Sequence, residues 1–133
     1  MTKNIDVVKV IIKNEDENIL AVREKLSEKW ELPGGKIKSS ENRFEAAKRE
    51  LQEEIGVNSS RFKDVVRVEL EDKTCVNCYI VYTEDFNGEP RIEKNGELDK
   101  MKWVKPEEYK LLDWHTDSGY SIPAVENLDE YLD

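Results

Sequence analysis

The sequence predicts an α+β domain, with short β-rich runs set around one central amphipathic helix and a second helix near the end of the chain. Three observations carry this expectation. Val, Ile, Tyr and Thr gather in short runs divided by Asn-, Asp-, Gly- and Pro-bearing turns. A central segment repeats apolar residues at spacings of three and four. The 133 residues suffice for one continuous core and are too few for two, so a single domain over 1–133 is expected.

Taken in order, Ile5 to Lys13 and Ile19 to Lys25 read as strands joined by the polar turn Asn14 to Asn18, which predicts a hairpin. Ser27 to Lys29 leads into Trp30-Glu-Leu-Pro-Gly-Gly35, where Pro33 and two glycines argue against regular structure. Ser39 and Ser40 are the expected N-caps of a helix that Gly56 stops after about four turns. Phe44, Ala47, Leu51 and Ile55 form its apolar stripe. Val65 to Leu70 and Thr74 to Thr83 read as strands joined by Glu71-Asp72-Lys73, and Met101 to Val104 as a further strand. A short helical turn is expected at Pro106 to Tyr109. A terminal helix is expected from Pro123, with Ala124, Leu128 and Tyr131 or Leu132 on one face.

Thirty acids against 21 bases leave a net charge of -9, which excludes a generic binder of nucleic-acid polymer, since such proteins carry a basic patch. A polyanionic substrate would need a bound cation or a few local basic residues. The excess is uneven: residues 106–133 hold eight acids and a single base, Lys110. One histidine, His115, excludes a histidine-rich metal site. The chain shows no apolar run near 18 residues and no hydrophobic core at its N-terminus, so a soluble cytoplasmic protein without membrane partners is expected. Cys75 and Cys78 fall on opposite faces of a strand, which suits neither a disulfide nor a shared metal.

The central helix carries a feature that helix stability does not explain. Glu50, Glu53 and Glu54 fall within an arc of roughly 100° and repel one another. Two of them occupy the last turn, where the helix dipole disfavours negative charge. A solvated acidic face is the plain reading. A hard divalent cation such as Mg²⁺ is the chemical one, because it takes a few carboxylates and keeps positions open for water and phosphate. Arg49 beside the trio can brace a carboxylate, and the glycine-rich loop ahead of it lets phosphate approach the backbone.

Gly35, five residues, Glu41, seven residues, then Arg49-Glu50-Leu51, Gln52, Glu53-Glu54, Ile55 and Gly56-Val57 together resemble the complete Nudix box. Leu32-Pro33-Gly34-Gly35 ahead of it is also typical of that family. The resemblance implies a Nudix fold, an α/β/α sandwich with a mixed central β-sheet, a box helix and a C-terminal helix. It implies hydrolysis of a nucleoside diphosphate linked to another group, with Mg²⁺ as cofactor and Mn²⁺ as an alternative. Carried over residue by residue, Glu50, Glu53 and Glu54 would hold the metal. Gly35 would contribute a carbonyl or the close turn, and Glu97 a further acid. Glu53 or Glu50 would act as general base, Arg49 would orient a glutamate, and Glu41 would sit near the same site, hydrogen-bonded to Arg49.

Length, the close fit of the box and Trp103-Val104 are most similar to MutT-type members, which cleave nucleoside triphosphates to monophosphate and pyrophosphate. Markers of ADP-ribose or dinucleoside-polyphosphate subfamilies would fall near Asp72, Lys73 and Thr74, which match neither. Hydrolysis of another nucleotide derivative and nucleotide binding without turnover are the alternatives. The expected substrate contacts are Arg23, Lys36, Glu41, Trp114 and Ser121, the last standing where MutT-type enzymes read the base with asparagine. Lys38, Trp30, Tyr120 and His115 are weaker candidates. The expected partner is a small nucleotide, and the expected state a monomer or homodimer.

Overall fold

Strand β1 (Ile5–Ile12) is apolar on both faces, with Val8, Val10, Ile11 and Ile12 fully buried, so it must lie inside a sheet. The computed structural model, which describes residues 5–69, 75–93, 96–112 and 121–132, places it there. β1 lies between β4 (Gly34–Lys36), antiparallel to it, and β6 (Cys75–Thr83), parallel to it. β5 (Lys63–Glu69) closes this mixed sheet, antiparallel to β6. β2 (Ile19–Glu24) is the middle strand of a second, antiparallel sheet between β3 (Trp30–Glu31) and β7 (Leu98–Val104).

β1 and β2 are therefore not the expected hairpin. Asn14 N–H bonds to the Asn18 carbonyl at 3.0 Å, and one bridge joins Lys13 to Ile19. Beyond it the strands part into different sheets. Each is buried on both faces, and each takes two neighbours of its own. The Leu-Pro-Gly-Gly segment also departs from expectation, because Gly34–Lys36 pairs with β1. Gly34 permits this: its φ is 149°, and a Cβ there would meet the Val8 carbonyl oxygen at 2.0 Å.

Helix α1 (Arg43–Ile55) begins later than Ser39 and Ser40 suggested. Asn42 is its cap: the Asn42 side chain accepts from Glu45 N–H at 2.8 Å, and the Glu45 carboxylate accepts from Asn42 N–H at 2.9 Å. Gly56, with φ of 68°, ends the helix as expected. Ala46, Ala47, Leu51 and Ile55 are buried against β1 and β2 residues including Val8, Val10, Leu20 and Val22, while Phe44 stacks at the rim on Phe62.

The short 3₁₀ turn at Pro106–Leu111 appears where expected. The terminal helix is two pieces, α2 (Ser121–Glu126) and α3 (Leu128–Leu132). Asn127 marks the break, its N–H and its side-chain amide both bonding to the Pro123 carbonyl. Ala124, Val125 and Leu128 join Ile11, Ile80, Tyr82, Val104 and Tyr109 in a second core cluster, with Leu132 packed on it and Tyr131 turned outward. Helix α1 thus covers one core and α2–α3 the other, with the sheets between. This is an α+β sandwich, as expected. Cys78 is buried in the second cluster, and the side chain of Cys75 lies outside the described residues. No helix among the described residues is long and apolar enough to cross a membrane.

Candidate active site

The turn through Pro33, Gly34 and Gly35 lies against the last turns of α1, and together they form one wall of a cleft of about 540 Å³. Glu50, Glu53 and Glu54 enter it from the helix. The approach is close at Gly35, where a Cβ would lie 2.5 Å from Glu50 Oε1 and would push that carboxylate aside. Gly34 N–H donates to Glu54 Oε1 at 2.8 Å, which ties the strand to the helix. Glu93, Gly96 and Glu97 line the cleft from the β6–β7 connection, and Lys9, Glu24 and Glu31 from the strands.

Arg49 is the hub of the carboxylates. Its Nη1 donates to Glu50 at 2.9 Å and to Glu53 at 3.2 Å. Its Nη2 donates to the Lys36 carbonyl at 2.9 Å and to Glu41 Oε1 at 2.6 Å, while Nε reaches Glu41 Oε2 at 3.1 Å. These bonds, Glu41 first, raise the guanidinium pKa further. The same contact holds the Glu41 carboxyl below its ordinary range. Glu41 is bound to Arg49, the contact the resemblance implies, and to Lys38 N–H.

The three box glutamates sit in different surroundings. Glu53 is open to solvent, with 58% of its side chain exposed, against 15% for Glu50. Glu54 is the most desolvated, and burial pushes its pKa up to about 8 despite the charge of Lys9 and the Gly34 hydrogen bond. A desolvated carboxylate so weakly compensated suits a cation, and hard oxygen donors suit a divalent ion of the Mg²⁺ type. As placed, no three acidic, histidine or cysteine side chains among the described residues converge tightly enough to enclose an ion. Arg49 engages Glu50 Oε1 and Glu53 Oε2, and it leaves the other oxygen of each carboxylate to an ion.

Other expected site residues divide. Lys36 and Glu97 line the cleft. Arg23 does not: its guanidinium is committed to Asp99 on β7, at 2.9 and 2.6 Å. Ser121 is also a correction, because it is buried in α2 with its hydroxyl 2.8 Å from that of Tyr109. Trp114, His115 and Tyr120 lie outside the described residues. Lys9, Glu24, Glu31 and Glu93 were not singled out by sequence. Lys9 alone left a signal, as the one charge inside the apolar run Val7 to Ile12.

The family model for the NUDIX domain matches residues 3–125. An 8-oxo-dGTP diphosphatase of Buchnera aphidicola is 42% identical over 125 residues, covering 92% of each chain. A CTP pyrophosphohydrolase of Escherichia coli is 30% identical over 110 residues, covering 80% of this chain and 79% of its own. A Bacillus subtilis relative is 32% identical over 100 residues, and the match spans 64% of that protein's length. A solved MutT structure, from work on the Aliivibrio salmonicida and Vibrio cholerae enzymes, superposes with a TM-score of 0.80 at 25% identity, covering 92% of this chain and 97% of that one. Hydrolases of this family generally depend on a divalent metal. Box, fold and relatives agree: the chain belongs to the Nudix family and is a MutT-like Nudix hydrolase.

Proposed function

We propose that this protein hydrolyses (deoxy)nucleoside triphosphates to the monophosphate and pyrophosphate, in the sanitation of the nucleotide pool. The observation that carries this reading is the cleft in which Glu50, Glu53 and Glu54 meet the Gly34–Gly35 turn. Its volume of about 540 Å³ lies in the range of small-molecule sites. The Buchnera and Escherichia coli relatives, named for 8-oxo-dGTP and CTP, support a nucleoside triphosphate and leave the base open. The reading places the protein in the cytoplasm with a small nucleotide as its partner.

Glu50, Glu53 and Glu54, with the backbone at Gly35, would hold Mg²⁺, with Mn²⁺ as an alternative and Glu97 as a further acid. When bound, the ion supplies positive charge to the polyphosphate and lowers the pKa of water. The protein's own residues do the rest. Glu53, exposed to the cleft, takes the proton of the attacking water, with Glu50 the other candidate. Arg49 fixes the carboxylates of both, and Glu41 fixes Arg49. Lys36 meets the phosphates from the rim.

Glu53→Gln tests the reading. Loss of a general base lowers kcat by about 10²–10⁴-fold. The melting temperature should hold, since Glu53 is largely exposed. Release of pyrophosphate, rather than orthophosphate, from a panel of nucleoside triphosphates identifies the bond cleaved. Unchanged turnover in the variant would sink the mechanism.

A further inference from the structure

Lys9 stands where strand physics gives it no reason to be. It is the one charged residue between Val7 and Ile12 in a strand flanked on both sides, beside Gly34 on β4 and Ile80 on β6. Withdrawing an ammonium from water in such a place is costly unless it is well paired. Its pairing is loose. Lys9 Nζ lies 3.5 Å from Glu31 Oε2 and 3.4 Å from the Leu32 carbonyl, where charge-assisted bonds of this kind usually measure about 2.7–2.9 Å. Both side chains keep only a small opening, 14% for Lys9 and 16% for Glu31, and both line the cleft.

The cleft's charge makes this position matter. Glu24, Glu31, Glu50, Glu53, Glu54 and Glu97 all face it, whereas Lys9 and Lys36 are the cationic side chains among its described lining residues. A polyphosphate entering so acidic a space gains from a fixed cation. Lys36 is at the exposed rim; Lys9 is the cation set within.

We propose that Lys9 is a substrate-binding residue, whose ammonium is kept in the cleft by Glu31 and is taken over by the polyphosphate of the nucleotide. The proposal rests on the nucleoside-triphosphate reading above and adds the residue that binds the chain of phosphates. A lysine serving only to neutralise Glu31 and Glu54 would leave tripolyphosphate binding in the absence of metal unchanged.

Lys9→Met, Lys9→Arg and Glu31→Gln test it, through KM and kcat for a nucleoside triphosphate with Mg²⁺ and through competitive inhibition by inorganic tripolyphosphate. Loss of a charged hydrogen bond should raise KM in Lys9→Met by about tenfold or more, with kcat changed much less. Tripolyphosphate inhibition should weaken in proportion, and Lys9→Arg should recover most of both. Glu31→Gln, which releases the ammonium, should lower KM. An unchanged KM in Lys9→Met overturns the proposal, as does a raised KM with unaltered tripolyphosphate inhibition. If Lys9→Met does not fold, Glu31→Gln decides, and an unmoved KM there overturns it. If the wild-type protein turns over no nucleoside triphosphate, the functional reading fails. Tripolyphosphate binding to wild type and Lys9→Met, followed by calorimetry, then still judges Lys9.

Discussion

Arg49 grips Glu41 through two parallel bonds, Nη2 to Oε1 at 2.6 Å and Nε to Oε2 at 3.1 Å. The pair leaves Nη1 to serve Glu50 and Glu53. Glu41 therefore acts on the chemistry at one remove, by fixing the plane of the guanidinium. Glu41→Gln should lower kcat by roughly tenfold with little change in KM, the loss of about one charged hydrogen bond. Arg49→Lys should do at least as much, because an ammonium cannot reproduce the fork. Steady-state kinetics beside melting curves check both, and a KM effect alone in Glu41→Gln would return Glu41 to the substrate contacts.

The half-buried, desolvated Glu54 sets a pH dependence. In the folded protein its carboxyl keeps a proton up to about pH 8, against an ordinary value of 4.5. Folding thus takes up a proton between those values, and this group favours the folded state most below the lower one. Its contribution falls as pH rises through the window and levels off above about 8, a change on the order of a few kcal/mol. With chelator present, the melting temperature of the wild type should drop from pH 5.5 to 8.5 relative to Glu54→Gln, which does not titrate. Adding Mg²⁺ should raise the wild-type melting temperature more at pH 8.5 than at 5.5, since the proton and the cation compete for one carboxylate. Parallel curves for wild type and variant would refute the assignment.

Two adjacent glycines should fail in different ways. A methyl at Gly34 meets the backbone oxygen of Val8 at 2.0 Å, in a backbone conformation that L residues rarely adopt. Gly34→Ala should cost about 2 kcal/mol or more of stability, read by denaturant unfolding. A methyl at Gly35 meets the movable end of Glu50 at 2.5 Å. Gly35→Ala should therefore fold, with metal affinity and kcat reduced. Equal losses of stability would show that the Glu50 contact cannot yield.

Ser121 belongs to the packing of α2. Its hydroxyl pairs with that of Tyr109 inside the second core cluster. Ser121→Ala should cost about 1 kcal/mol through loss of this buried hydrogen bond while leaving KM for nucleotides unchanged. A shift in KM without a shift in stability would restore Ser121 to the base-reading role.

What was legible in the sequence was whatever rests on local spacing. The glutamates of α1 share a face because of helical geometry, and Gly56 stops the helix because its φ is 68°. The capping box was there too, as Asn42 followed three residues on by Glu45, but two serines just upstream are equally good caps by residue type. Strand pairing was not legible. Burial on both faces of β1 and β2 requires two neighbours each, yet which neighbours depends on residues far along the chain, such as Cys75–Thr83 and Leu98–Val104. Arg23 shows the same limit: a basic residue suits a phosphate until the fold sets Asp99 opposite, 76 positions away.

The arginine hub also bears on which ions the cleft will accept. Its guanidinium holds Glu41 by both oxygens but Glu50 and Glu53 by one each. Each of these two carboxylates would offer an ion the oxygen that Arg49 leaves, beside a fixed positive charge. A compact double charge would gain more than a single one from a carboxylate already half-neutralised, so the hub itself would tilt the cleft toward divalent ions.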